Sequence, residues 1–238
     1  MDFDEYASTY DAALGRGLAI SGESKDYFAY RRIAWLGRRL AELGIRPRSV
    51  LDFGCGTGST MPFLREILEP ESILGVDDST SSLEVARQAH EAPAVQFMQR
   101  EKFVPDGSFD LVFCNGVFHH VLPCERAAAV ATIRRALRPD GVVALWDNNP
   151  WNPGARYVMW RIPFDRDAVP ISSREAGRLL REGGFEVLHT DFLFIFPHLM
   201  RGLRRLEPTL SRLPLGAQFQ VFARRSASTT RDPLSAGH

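Results

Sequence analysis

The sequence lacks the features that would set it apart from common globular proteins. It has only three cysteines, Cys55, Cys114 and Cys124, with neither an even count nor metal-site spacing, so we expect no disulfide framework and no metal site. Its 29 basic and 29 acidic residues cancel, which removes the electrostatic signature of nucleic-acid binding. No apolar run approaches the roughly 20 residues of a membrane-spanning helix, and no apolar signal segment opens the chain. We therefore expect a cytoplasmic protein that binds no nucleic acid and is not an integral membrane protein.

The chain is organised around residues 49–59, SVLDFGCGTGS. A short apolar strand there runs into three glycines at alternate positions, Gly54, Gly56 and Gly58, and then into a predicted helix. Glycine allows positive φ and lets a ligand lie directly on the main chain. The stretch therefore predicts a small-molecule site inside a domain that 238 residues are long enough to build with a full core.

Spacing and charge indicate which molecule binds. A dinucleotide fingerprint places its glycines as G-x-G-x-x-G for a pyrophosphate, but here the third glycine comes one residue early and Asp52 would repel a phosphate. A second predicted strand, residues 73–76, ends in Asp77 and Asp78, at the distance where such folds bind ribose hydroxyls. Ribose plus a cation, without phosphate, describes S-adenosylmethionine.

Four ordered motifs carry a family resemblance. VLDFGCGTG, GVDDS, PDGSFDLVFCNGVFHHV and RALRPDGVVALWDNN follow one another over roughly residues 45 to 150. With them the chain resembles a class I S-adenosylmethionine-dependent methyltransferase. The resemblance implies a doubly wound α/β fold, a seven-stranded, mostly parallel sheet whose last strand is antiparallel, and S-adenosylmethionine as the cofactor.

The same pattern divides the chain. We expect residues 1–48 to form an N-terminal helical cap over the cofactor and residues 49–225 to form the methyltransferase core. Within the core, residues 147–167 are expected to be a substrate loop and residues 197–215 a lid. Residues 226–238 are polar and small, which favours a disordered tail.

The resemblance also implies cofactor-binding residues. In similar methyltransferases a tyrosine and an arginine of the N-terminal part reach the methionine end, and Tyr10 and Arg32 match them by position, with a purely structural role as the alternative. The family's adenine-binding aspartate is absent, so either Glu101 or a backbone group takes that contact. The predicted set is Tyr10, Arg32, Asp52, Gly54, Cys55, Gly56, Gly58, Asp77, Asp78, Glu101 and Asn115.

His119 and His120 follow the fourth predicted strand at the edge where open α/β sheets bind ligands. They are the candidate catalytic residues, as a base for a hydroxyl acceptor, with a structural role as the alternative. Residues 147–167 are too rich in Pro, Asn and Trp for a regular element. That loop is expected to bring four substrate residues to the acceptor, or simply to cover the sheet edge: Asn149, Trp151, Arg156 and Trp160.

Leucines recur between the last two predicted strands, at positions 199, 203, 206 and 210, with arginines between them. This pattern is typical of an amphipathic helix, here interrupted at Pro208. We favour a core-facing leucine stripe with a solvated basic face, and the alternative is a basic, apolar lid for an anionic or lipid-linked acceptor. Alternation in residues 219–223 predicts a half-buried final strand, and two earlier strands are expected at residues 142–146 and 185–196. Ser172 with Glu175 predicts a capping box at a helix start.

The expected function is methyl transfer to a small or medium-sized metabolite by in-line displacement, with proximity as the main catalytic effect. The residues leave O, N and C acceptors open, and a monomer or a homodimer is expected. Two alternatives remain at this stage, a NAD(P)-dependent oxidoreductase and a non-catalytic cofactor-binding partner subunit.

Overall fold

A computed structural model describes residues 21–162 and 168–226. Seven strands form one sheet in the order β3-β2-β1-β4-β5-β7-β6. Only β7 runs antiparallel to its neighbours β5 and β6, whereas the other neighbouring strands pair in parallel. The predicted fold class is confirmed. The strands are β1 Ser49–Phe53, β2 Ser72–Asp77, β3 Val95–Gln99, β4 Phe109–Asn115, β5 Leu137–Asn148, β6 Phe185–Leu193 and β7 Gln218–Arg225.

Helices cover both faces of the sheet. The first three, α1 to α3, contribute to one apolar cluster, and α4 and α6 contribute to the cluster on the opposite face. The helices are α1 Lys25–Glu42, α2 Met61–Leu68, α3 Thr80–His90, α4 Arg126–Ala136, α5 Pro153–Arg161, α6 Ser173–Glu182 and the single turn α7 Glu207–Leu210, with 3₁₀ segments at Arg100–Lys102 and His198–Leu206.

Local sequence explains where the main helices begin and end. The Ser24 hydroxyl accepts the backbone N–H of Tyr27 at the start of α1, and Gly44, with φ of +66°, follows its end. At the start of α6 the Ser172 hydroxyl accepts the N–H of Glu175 at 3.2 Å. The predicted capping box is thus half formed, because the Glu175 carboxylate accepts from Arg126 instead.

A buried carboxylate on β6 fixes α1 against the sheet. Asp191 accepts the indole N–H of Trp35 at 3.0 Å and two guanidinium N–H groups of Arg39 at 2.8 and 2.6 Å. Charge-assisted bonds of this kind hold a side chain in one geometry. Their effect is to orient α1 so that Arg32 lies beside the glycine loop.

Three predicted strands need correction. β5 is longer than the expected residues 142–146. Asp140 has a φ of +63°, and upstream of it Leu137 pairs again with Phe109 of β4. β6 ends at Leu193, before the expected Phe196, because Phe194 also takes a φ of +63°. β7 is buried on both faces over residues 219–223 rather than half-buried, since it lies inside the sheet between β5 and β6.

The expectation of no regular element in residues 147–167 is wrong for helix α5. The Asn152 side chain accepts the N–H of Ala155 at 2.9 Å, and Pro153 takes the first helical position. An Asn-Pro pair, which by composition indicates a loop, is therefore a helix start here. Residues 163–167 of the predicted loop, residues 227–238 of the predicted tail and residues 1–20 of the predicted cap lie outside the described residues.

Candidate functional site

The glycine loop follows β1 and contacts the carboxyl end of β2 and the turn after β4. Its first N–H groups, on Gly54 and Cys55, both donate to the carbonyl of Val76 on β2. A Cβ added to Gly54 would meet Val117, which follows β4, at 2.2 Å. A Cβ added to Gly56 would have nothing within 4 Å. The space beside Gly54 is therefore filled by the Val117 side chain, whereas the backbone at Gly56 is open to a ligand.

Asp77 ends β2 and holds the loop. Its carboxylate accepts the N–H of Gly56 at 2.8 Å and the N–H of Ser79 at 3.0 Å. Burial raises the pKa of Asp77, and the two N–H donors act against this rise. The predicted ribose-binding residue thus lies directly against the open part of the glycine loop, with an additional structural role that the sequence did not reveal.

Asp52 is a buried acid beneath the loop. It accepts the hydroxyl of Thr60 at 2.6 Å, at the start of α2. Burial raises the pKa of Asp52 to about 7, and the charge of Asp77 acts in the same direction, whereas Thr60 and the guanidinium of Arg32 oppose it. Arg32 is itself buried and donates to the amide oxygen of Gln218 at 2.9 Å. The Asp52 carboxyl group beneath the glycine loop therefore changes charge near neutral pH.

These groups fit S-adenosylmethionine. The open backbone at Gly56 offers a surface that a Cβ would fill, Asp77 provides an acceptor for ribose hydroxyls, and Asp52 provides a carboxylate compatible with a cation. Cys55, also in the predicted set, is buried, and burial raises the pKa of its thiol. It contributes packing and backbone N–H groups rather than a thiolate.

Three further predicted cofactor residues lie at or near the carboxyl ends of the strands. Asp78 forms a surface ion pair with Arg100. Glu101 is exposed in the 3₁₀ turn after β3, and Asn115 is the last residue of β4. Tyr10 lies outside the described residues. Their contacts with the cofactor stay predictions.

A tight turn after β4 positions the two histidines. Gly116 has a φ of +69°, and its N–H donates to the Trp146 carbonyl on β5. His119 is buried, and its Nδ1 lies 2.7 Å from Oδ1 of Asp147, the residue before the end of β5. Because a carboxylate oxygen accepts hydrogen bonds, Nδ1 is assigned as the donor in this contact.

His120 lies next to this pair, with its ring centroid 4.1 Å from that of His119. Asp147 has a second oxygen, Oδ2, which is buried and has no hydrogen-bond partner among the residues that the structure describes. Buried polar atoms are nearly always paired in folded proteins. An unpaired carboxylate oxygen beside a histidine therefore indicates a place for a ligand donor.

Arg126 supports the histidine turn, and sequence reasoning missed it. This buried arginine on α4 donates to the carbonyls of Phe118 and Val121 on either side of the histidines. It also donates to the carbonyl of Val169, whose own N–H donates to the carbonyl of His119. The helical spacing of α4 indicates which residues face the sheet, but no local signal distinguishes a buried arginine from a solvated one.

The predicted substrate residues are only partly brought together. Asn149 is buried, and its amide donates to the carbonyls of Pro214 and Gly216, so it fixes the chain that leads into β7. Trp151 and Trp160 are 73% and 66% exposed, and Arg156 is exposed on α5. Their contact with an acceptor stays a prediction.

A cleft of about 630 Å³ opens beside Trp151, between α6 and the edge strand β6. Its lining includes three arginines, Arg174, Arg181 and Arg212, and no carboxylate. The cleft does not lie over the glycine loop, so it is separate from the cofactor surface. It offers a positively charged pocket next to the end of β5.

Two absences hold within residues 21–162 and 168–226. There, no group of three or more His, Cys, Asp or Glu side chains is placed to hold a metal ion. Among the same residues, no helix is both long enough and apolar enough to cross a membrane.

Comparisons with known proteins identify the family of this chain. Residues 51–145 match the family model described as a methyltransferase domain. Trans-aconitate 2-methyltransferase from Acidovorax ebreus is 33% identical over 203 residues, 75% of this chain and 77% of that enzyme. The enzyme of the same name from Azoarcus sp. is 37% identical over 131 residues, 54% of this chain but only 48% of its own length.

Solved structures show the same fold. A methyltransferase from Thermotoga maritima, described as dependent on S-adenosylmethionine, superposes with a TM-score of 0.62 at 21% identity, over 94% of this chain and 98% of that one. The methyltransferase domain model and the relatives named as methyltransferases set aside the oxidoreductase and the non-catalytic partner subunit. The chain belongs to the class I methyltransferases, and S-adenosylmethionine is its cofactor.

Proposed function

We propose that this enzyme methylates a small or medium-sized metabolite bound over the carboxyl ends of β4 and β5. The observation that carries the proposal is the buried pair of His119 and Asp147, in which Oδ2 of Asp147 has no hydrogen-bond partner within residues 21–162 and 168–226. His119 is two residues after Val117, which packs on Gly54 of the cofactor loop. A polar acceptor group held there would lie next to the cofactor surface.

The bound cofactor supplies a methyl group already activated by its sulfonium. The protein then has to orient the acceptor and exclude water, and such positioning supplies on the order of 7–11 kcal/mol. For an acceptor that must lose a proton, Nε2 of His119 takes that proton while Asp147 holds the ring in the required tautomer. A carboxylate acceptor is already ionised and needs no base.

The acceptor that we propose carries a carboxylate. Two relatives are named as trans-aconitate 2-methyltransferases, and aconitate is a polycarboxylate. The cleft beside Trp151 has three guanidinium groups in its lining, and arginine binds carboxylates in bidentate fashion. The arginines would anchor one carboxylate while the methyl-accepting group reaches towards His119.

Release of S-adenosylhomocysteine with a panel of carboxylic acids, phenols and amines tests this function. We expect turnover with carboxylic acids, and Arg174→Ala and Arg181→Ala should raise KM for them. Arg178→Ala is the matched control, because Arg178 is an exposed arginine on the same helix and is not in the cleft lining. Turnover confined to acceptors without a carboxylate, or equal KM for all three variants, would contradict the proposed acceptor class. The cytoplasmic location and the monomeric or homodimeric state stay predictions.

A further inference from the structure

The segment between β6 and β7 turns its apolar side chains outward. Leu199 is 95% exposed, and Met200, Leu203 and Leu206 are 44%, 39% and 46% exposed. We call these four residues the leucine face. The favoured sequence interpretation, a stripe facing the core, is therefore wrong, because helical spacing shows that leucines share a side but not which side is buried.

Two polar residues of this segment, Arg204 and Glu207, face inward and hold it in place. Glu207 is buried and accepts the backbone N–H of Ile195 at 3.0 Å and a guanidinium N–H of Arg31 at 2.8 Å. Arg204 lies 2.7 Å from the carboxylate of Glu23 and packs over the ring of Tyr27. Charge-assisted bonds on the inner side fix the orientation of the segment. The exposure of the leucine face is therefore imposed by the fold.

Positive charge accompanies the leucine face. Arg201 and Arg205 are exposed on the same segment, and Arg212 is 56% exposed farther along. Residues 198–215 contain a single acidic residue, Glu207, which is buried and paired. An apolar surface ringed by cations is the composition of an interfacial membrane-binding segment.

We propose that the leucine face docks this enzyme on an anionic lipid bilayer. A symmetric contact between two copies would bring Arg201 and Arg205 of one copy close to the same residues of the other, and such like-charge contacts are unfavourable. An anionic bilayer supplies the opposite charge together with an apolar layer for the leucines. The segment leaves the sheet at the carboxyl end of β6 and returns at the start of β7. Docking therefore turns the carboxyl ends of the parallel strands, where His119 lies, towards the lipid.

Flotation of the full-length protein with lipid vesicles tests this proposal without any acceptor or turnover. We expect binding to vesicles of equal parts phosphatidylcholine and phosphatidylglycerol, no binding to phosphatidylcholine alone, and weaker binding as salt rises. The double variants Leu199→Ser/Leu203→Ser and Arg201→Glu/Arg205→Glu should each weaken binding by about tenfold or more.

Val104→Ser and Arg46→Glu are the matched controls. Both residues are exposed, and they precede the amino ends of β4 and β1, whereas the leucine face follows the carboxyl end of β6. They should bind like the wild type, and thermal melts should show that all variants are folded. Equal binding by wild type and the leucine variant would overturn the proposal. A lack of binding to anionic vesicles would also overturn it. That result is expected if the leucine face instead forms a dimer contact or is covered by residues 1–20.

Discussion

His119 lies in the turn after β4 and Asp147 lies near the end of β5, yet their Nδ1 and Oδ1 atoms are 2.7 Å apart in a buried site. An Asp147→Asn substitution keeps the shape but lets the amide donate to Nδ1, which moves the ring proton to Nε2 and removes the base. With an acceptor that must lose a proton, we expect turnover to fall by about 10²–10⁴. Isothermal titration with S-adenosylhomocysteine should show little change in affinity.

His120→Ala is the matched control for that substitution, because His120 is adjacent but is not the partner of Asp147. We expect it to reduce turnover less than Asp147→Asn. The reverse order, with His120→Ala inactive and Asp147→Asn active, would assign the base to His120. A carboxylate acceptor methylated at nearly the wild-type rate by both variants would leave positioning as the mechanism.

Asp77→Ala should weaken cofactor binding by about tenfold or more, because charge-assisted hydrogen bonds to ribose contribute about 1.5–3 kcal/mol each. The substitution also removes the acceptor for Gly56, so the glycine loop should lose order as well. Calorimetry measures the affinity, and amide hydrogen exchange measures the loop. Asp78→Ala, which breaks only a surface pair with Arg100, should change the affinity far less. Equal losses for the two variants would refute the assignment.

Asp52 predicts a pH dependence of stability. Its pKa is about 7 in the fold and about 4 in the unfolded chain, so between these values the unfolded state releases a proton that the folded state keeps. The free energy of unfolding of the wild type should therefore fall relative to Asp52→Asn as pH rises from about 4 to 7, on the order of 1 kcal/mol per pH unit, and then level off. Urea titrations across this range measure it. A difference that grows in the opposite direction would show that Asp52 is ionised in the fold.

Gly54→Ala and Gly56→Ala should separate packing from ligand binding. The new Cβ at position 54 would lie 2.2 Å from Val117, so we expect a loss of stability of about 1–3 kcal/mol. The new Cβ at position 56 meets no protein atom within 4 Å, although its φ of +53° adds some strain. That variant should melt closer to the wild type but bind the cofactor poorly. A Gly56→Ala variant with wild-type affinity would place the ligand elsewhere.

Local patterns were sufficient for β1 and for the turn at the glycine loop. The strand at residues 49–53, the alternating glycines and the acid after β2 are encoded in short stretches whose geometry is set by backbone chemistry. The pairing of His119 with Asp147 spans 28 residues, and it depends on how far β5 extends. That extension is set by pairing with β4 and β7, which involves residues distant in the sequence, as in the pairs Asn115–Trp146 and Asp147–Phe219.

Burial of charged groups was the harder part to predict. Arg126 and Glu207 are ordinary helix residues by sequence, yet both are buried because backbone groups from distant loops need their hydrogen bonds. The outward orientation of the leucine face has the same cause, the burial of charged side chains that form hydrogen bonds inside the protein. Once Glu207 and Arg204 face the protein, the leucines between β6 and α7 have to face away from it.

The contact between Arg31 and Glu207 links the two sides of the site mechanically. Glu207 belongs to the segment next to the acceptor side, whereas Arg31 precedes Arg32, whose guanidinium donates to Gln218. Gln218 in turn donates to Asn148 at the end of β5. We therefore expect a displacement of this segment to reach both α1 and the end of β5. The same hydrogen bonds connect the proposed acceptor side to the helix that carries Arg32.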